Sequence, residues 1–261
     1  MNCADQLIKA ELKGKPGCQG FEILIFSFPK RRRGSFVRAS MDVVDELWDQ
    51  PRWTQSREEE LANTISHGIG LVAGLIGAPV LLLAALHAGN RGFFVGTIIF
   101  AASMLVLYLG STLYHAWPQT RAKCALQVFD HSAIFLLIAG TYTPFVLGPL
   151  RGIWGWTLFG LIWALAIFGV IMKMTRGTSR HSKLALSLYL GMGWLGLIAF
   201  RPLSAVVPAS ALFALFAGGI AYTVGVIFFV NEQRRYNHFV WHLFVLTGTS
   251  CHFLALLACT G

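Results

Sequence analysis

From about residue 61 the chain is a succession of long apolar runs separated by short polar stretches. The runs fall at about 63–86, 92–115, 128–148, 153–172, 184–201, 207–230 and 239–258. Each is near the 20 residues that a helix needs to cross roughly 30 Å of hydrocarbon. None alternates apolar and polar positions as a barrel strand does, and lipid admits only helices or closed barrels. The pattern predicts an all-α, polytopic membrane protein with seven transmembrane helices. Gly70 and Gly74, and Gly92 and Gly96, have the G-x-x-x-G spacing of closely packed helices, and Pro79 and Pro144 fall inside spans as kinks. No internal repeat of the inverted-transporter kind is visible.

Composition agrees and adds a division. Of 261 residues 55% are hydrophobic and only 13% charged, about half the charged share of a soluble domain. Residues 1–60 carry ten basic and ten acidic side chains, which leaves eleven basic residues and only Asp130 and Glu232 for the remainder. The chain therefore divides into a polar extension, residues 1–57, expected in the cytoplasm, and a seven-helix domain, residues 58–261. Residues 1–40 have no interpretable pattern, whereas Met41 opens an amphipathic segment leading into the first span. Residues 1–40 are then either an upstream extension of the reading frame or part of the chain, and both readings stay open. The apolar stretch 21–28 is too short for a signal peptide, and its basic run follows it instead of preceding it.

Lys and Arg in alternate loops set the orientation. Arg121, Lys123, Lys173, Arg176, Arg180, Lys183, Arg234 and Arg235 fall on one side, against Arg91, Arg151 and Arg201 on the other. The positive-inside rule puts the first set and the N-terminus in the cytoplasm and the C-terminus outside. Basic residues that punctuate apolar runs do not make the polar face of a nucleic-acid protein; the expected partners are membrane lipids. The five cysteines lie without C-x-x-C spacing or a disulfide framework.

Ionisable groups in spans are costly and are functional candidates for that reason. His115 ends the second run, with Ser111 one turn earlier on the same face. Asp130 begins the third, and His238 and His242 begin the seventh at i and i+4, a spacing that can set two imidazoles around one metal. Because the second helix runs inward while the third and seventh start inside, His115, Asp130, His238 and His242 share one cytoplasmic depth. Three imidazoles with one open position describe a catalytic zinc site; structural sites close all four positions and favour cysteine. The plainer alternative is an interfacial H-x-x-x-H pair without metal. His252, about 15 Å further along the axis than His242, is expected to pack, His87 and His181 to lie in loops, and His67 and His131 to be neighbours of the site.

These residues carry a resemblance. S-x-x-x-H ending the second helix, FDH-x-AIFLLIAGTYTPF in the third and H-x-x-x-H in the seventh, with E-x-x-x-N-x-x-x-H at Glu59, Asn63 and His67, resemble the hemolysin III family, bacterial relatives of the progestin and adiponectin Q receptors. The likeness covers residues 56–261. It implies seven helices with the N-terminus inside, zinc held by His115, His238 and His242, Asp130 orienting water on that zinc, and Ser111 beside the site. A bacterial inner (plasma) membrane location follows as an expectation. The wider superfamily includes alkaline ceramidases and implies zinc-dependent hydrolysis of a lipid amide, with Asp130 as general base. The family's name refers to lysis of red cells through pores, and no span here carries a polar row able to line one. A receptor-like protein with a structural zinc is the third alternative.

Overall fold

The computed structural model describes residues 55–118, 120–176 and 183–261, with the side chains of Arg121 and Arg176 left aside. The expectations for residues 1–54 and for His181 lie outside the described residues. Gln55–Gly261 forms one compact unit.

Helix α1, Arg57–His87, starts about two turns before the apolar run. Ser56 caps it: the Glu59 N–H donates to Ser56 Oγ at 3.3 Å, and the Ser56 N–H donates to Glu59 Oε2 at 2.9 Å, a reciprocal capping box. Glu58, Glu59 and Glu60 fill the first turn, where carboxylates meet the positive end of the helix dipole. Gly89, at a φ of 72°, makes the turn into α2, Arg91–Ala116, whose cap Asn90 accepts from the Phe93 N–H at 3.0 Å.

Helix α3, Arg121–Leu147, departs from the expected start at 128. The segment RAKCALQ is polar but made of good helix formers, and it adds two amphipathic turns. Lys123 and Gln127, four residues apart, are both buried. Asp130 consequently sits nine residues inside α3 and does not open it.

Helix α4 is Ile153–Arg176. The expected fifth span is not one continuous helix. It consists of α5, Lys183–Trp194, a 3₁₀ segment, Leu195–Ala199, and a short α6, Phe200–Ser204. The break exposes backbone polar groups in an apolar layer, where unsatisfied groups are costly, and Tyr142 of α3 answers it. Its hydroxyl lies 2.8 and 2.9 Å from the Met192 and Gly193 carbonyls and accepts from the Gly196 N–H at 2.9 Å. Helices α7, Ala209–Val230, and α8, Asn237–Ala258, complete the chain.

Among the described residues, seven helical segments are long and apolar enough to cross a membrane, α5 to α6 counting as one, and the protein is an integral membrane protein. Leu61, Ile65, Ile69, Val72, Leu75, Ile76 and Leu83 of α1 are exposed, as a lipid-facing surface should be. Neighbours pack in the order α4, α3, α2, α1, α8, α7, and α5 touches α3, α4 and α7 to close the ring. Glycines allow the closest approaches: a Cβ on Gly96 of α2 would stand 2.5 Å from Pro144 Cα of α3, and one on Gly74 of α1 3.1 Å from Met104 Cε of α2.

Candidate metal centre

The end of α2 and the start of α8 meet at the same end of the ring, and α1 runs beside both. His115, from the last turn of α2, and His238 and His242, from the first two turns of α8, are all buried, and one ring nitrogen or another of each lies within 4.8 Å of the others. Their ring centroids form a triangle: 5.1 Å between His115 and His238, 5.0 Å between His115 and His242, and 4.7 Å between His238 and His242.

Each of the three rings presents Nδ1 to an oxygen of a residue that is not a histidine. For His115 it is Glu60 Oε2, at 2.7 Å. For His242 it is Ser66 Oγ, at 3.0 Å; that hydroxyl donates to the Asn63 carbonyl at 2.8 Å, so it accepts from the imidazole N–H. For His238 it is Glu232 Oε2, at 3.6 Å, an electrostatic contact too long for a hydrogen bond. An imidazole whose Nδ1–H is held in this way offers Nε2 as its lone pair, and metal-ligating histidines almost always have such a partner on the far nitrogen. Three buried, convergent imidazoles, two of them with Nδ1 hydrogen-bonded and the third with Nδ1 facing a carboxylate, fit zinc in both donor type and number.

Asp130 lies outside this triad. It is buried and lines, with Ser111, His67, His131, His238 and His242, a central cavity of about 200 Å³. Ser111 is fully buried, and its hydroxyl has no hydrogen-bonding partner among the described residues. His67 stacks on His242, ring centroids 3.6 Å apart and planes 8° from parallel, with Tyr108 edge-on at 5.3 Å. The cavity continues between the helices past Ile134, Leu137, Ile138 and Phe145 to Leu150, Leu158 and Leu203. Asp130 and Val146 both line it; sixteen residues of α3 separate them, about 24 Å at 1.5 Å per residue. His252 also lines it, its ring against Tyr222 and so near Gly218 that a Cβ there would come within 2.6 Å of it. The structure thus places it beyond the cluster of imidazoles, in a wall of the cavity.

Glu60, Ser66, Glu232 and Lys123 were not singled out from the sequence as site residues. A usable signal was present for two of them: Glu60, Asn63 and Ser66 recur every three residues on α1 and so lie near one face of it, ahead of His67. The E-x-x-x-N-x-x-x-H reading drew attention to Glu59, whose carboxylate serves the cap at Ser56 and accepts the Tyr236 N–H at 2.8 Å.

Comparison with known proteins bears on the chain's family. The chain is 43% identical over 200 residues to a Bacillus subtilis protein named hemolysin-3 homolog, covering 77% of this chain and 93% of that one. It is 44% identical over 209 residues to hemolysin-3 of Bacillus cereus, with 79% and 94% covered. Human monocyte to macrophage differentiation factor is a more distant relative, 26% identical over 218 residues, with 78% and 86% covered. The model of the family described as haemolysin-III related matches residues 55–253, the whole of the helical ring apart from the last turns of α8, and the chain belongs to that family.

Proposed function

We propose that the protein is a zinc-dependent hydrolase of a lipid amide, working at the cytoplasmic leaflet of a bacterial inner membrane with its N-terminus in the cytoplasm and its C-terminus outside. The observation that carries this reading is a cluster of three convergent buried imidazoles, two of which, His238 and His242, line a long, mostly apolar cavity with a buried carboxylate, Asp130, in the same wall.

In this reading His115, His238 and His242 hold the ion. Bound there, zinc would supply a Lewis-acid charge that polarises a carbonyl and makes nearby water acidic. Asp130 takes the proton from the attacking water and returns one to the leaving nitrogen, the two duties a single general base can perform in sequence. Ser111 presents its buried hydroxyl to the carbonyl oxygen. The aliphatic and aromatic wall from Ile134 to Leu158 receives the acyl chain and keeps bulk water away.

The names of the Bacillus relatives speak of haemolysis, but an apolar cavity gives a pore no path for ions. A receptor-like protein with a structural zinc has the same three ligands and differs in lacking turnover.

Purified protein would be assayed on a panel of lipid amides with and without a chelator, alongside elemental analysis of the same samples. His→Ala at position 115, 238 or 242 should lower the zinc content. Asp130→Asn should fill with zinc at saturation and lose turnover. Full activity in zinc-loaded Asp130→Asn would remove the general-base assignment, and a zinc-loaded wild type inert on every lipid amide would replace the enzyme by the structural-metal reading.

A further inference from the structure

Glu60 bridges a histidine of one helix and a lysine of another. Its Oε2 lies 2.7 Å from His115 Nδ1, and its Oε1 lies 2.9 Å from Lys123 Nζ. Three helices meet there: Glu60 is in the first turn of α1, His115 in the last turn of α2 and Lys123 in the first turn of α3. Lys123 is itself buried, donates to the Trp117 carbonyl at 3.2 Å, and lies 5.0 Å from the centre of the Tyr114 ring. Its ammonium is thus anchored to the end of α2, and it restrains the carboxylate that faces His115.

We propose that Glu60 is a positioning residue for the metal centre: clamped by Lys123, its carboxylate fixes the orientation and tautomer of His115, so that Nε2 is the nitrogen presented to the ion. The inference rests on the zinc reading above and adds to it a residue that touches neither ion nor substrate. A glutamate is required because both oxygens must accept, one from an imidazole N–H and the other from an ammonium. Glutamine has a single accepting oxygen, and its amide N–H₂ would confront either the Nδ1–H or the Lys123 ammonium. A negative charge on the far nitrogen also makes the imidazole a stronger donor to a metal. Glu59, one position earlier, cannot substitute, since its oxygens serve Ser56 and Tyr236.

The test uses the full chain in detergent micelles, with zinc affinity measured by chelator competition and with cobalt(II) in place of zinc as a spectroscopic probe. Glu60→Gln is expected to weaken zinc binding about 10- to 100-fold and to alter the cobalt visible spectrum even at saturation, which a purely structural role in helix packing would not do. Lys123→Met should weaken binding less, and the double variant should bind like Glu60→Gln alone, because Lys123 acts through Glu60. Additive losses overturn the clamp. Wild-type affinity with an unchanged cobalt spectrum in Glu60→Gln overturns the assignment while leaving the zinc site intact, whereas a wild type that takes up no zinc overturns both readings together. Should Glu60→Gln yield no folded protein, Glu60→Asp decides: its carboxylate is withdrawn by one methylene, and an unchanged spectrum and affinity there also overturn the proposal.

Discussion

Removing one oxygen atom at Ser66 should weaken the metal centre by an amount that the geometry sets. The Ser66 hydroxyl accepts from His242 Nδ1 at 3.0 Å, and both residues are buried. In the metal-free protein with Ser66→Ala, His242 can move its proton to Nε2 and leave Nδ1 as a bare lone pair. Once Nε2 is a ligand that escape is closed, and the Nδ1–H stands buried without an acceptor. A buried unsatisfied donor costs about 1–3 kcal/mol. The cost falls on the metal-bound state, so at about 1.4 kcal/mol per tenfold zinc affinity should drop roughly 5- to 150-fold. Chelator competition on purified protein measures this directly, and Ser66→Thr, which keeps the hydroxyl, should recover most of the loss. The apo protein should unfold near the wild-type temperature, since alanine suits a helix at least as well as serine. Zinc affinity in Ser66→Ala within twofold of wild type would refute the reasoning, and with it the assignment of Nε2 as the ligating nitrogen of His242.

Three further outcomes are expected. Gly96→Ala places a Cβ 2.5 Å from Pro144 Cα and 2.6 Å from Pro144 N; backbone cannot yield as a side chain does, so α2 and α3 must part, at a cost on the order of 1–3 kcal/mol, read as a lowered thermal transition of the purified protein. A reporter fused after Gly261 should report the exterior and one inserted near residue 178 the cytoplasm, from the eight-to-three distribution of basic loop residues; a cytoplasmic C-terminus would reverse the proposed orientation. A chain starting at Met41 should insert and bind metal as the full chain does, because the spans begin at Arg57; loss of folding on that truncation would show that residues 1–40 support the helical ring.

The reach of sequence reasoning is clearest at α3 and α5. Seven spans were legible because each must supply about 20 apolar residues against lipid whatever its neighbours do, a requirement local to the segment. At α3, polarity marked Arg121–Gln127 as a loop, yet Lys123 and Gln127 are buried against other helices, and partners distant in sequence decide that. At α5 the composition is apolar enough for a span and carries no sign of a break; the interruption at Leu195–Ala199 is viable because Tyr142, some fifty residues earlier, satisfies the exposed backbone.

The metal-binding candidates divide in the same way. Helical spacing and the alternation of spans were enough to bring His115, His238 and His242 to one depth, because period and direction are properties of the chain itself. Depth is not angle, however. Only the packing of α1 between α2 and α8 decided that Glu60 and Ser66 would face the second nitrogens of His115 and His242, and only the packing of the remaining helices decided that Glu232 would lie near His238 and that Asp130 would enter the cavity wall and stay outside the cluster of imidazoles. Rotation of a helix about its axis is fixed by side chains on its neighbours, and in lipid an apolar stripe gives little indication of which face turns inward, since the outer face is apolar as well.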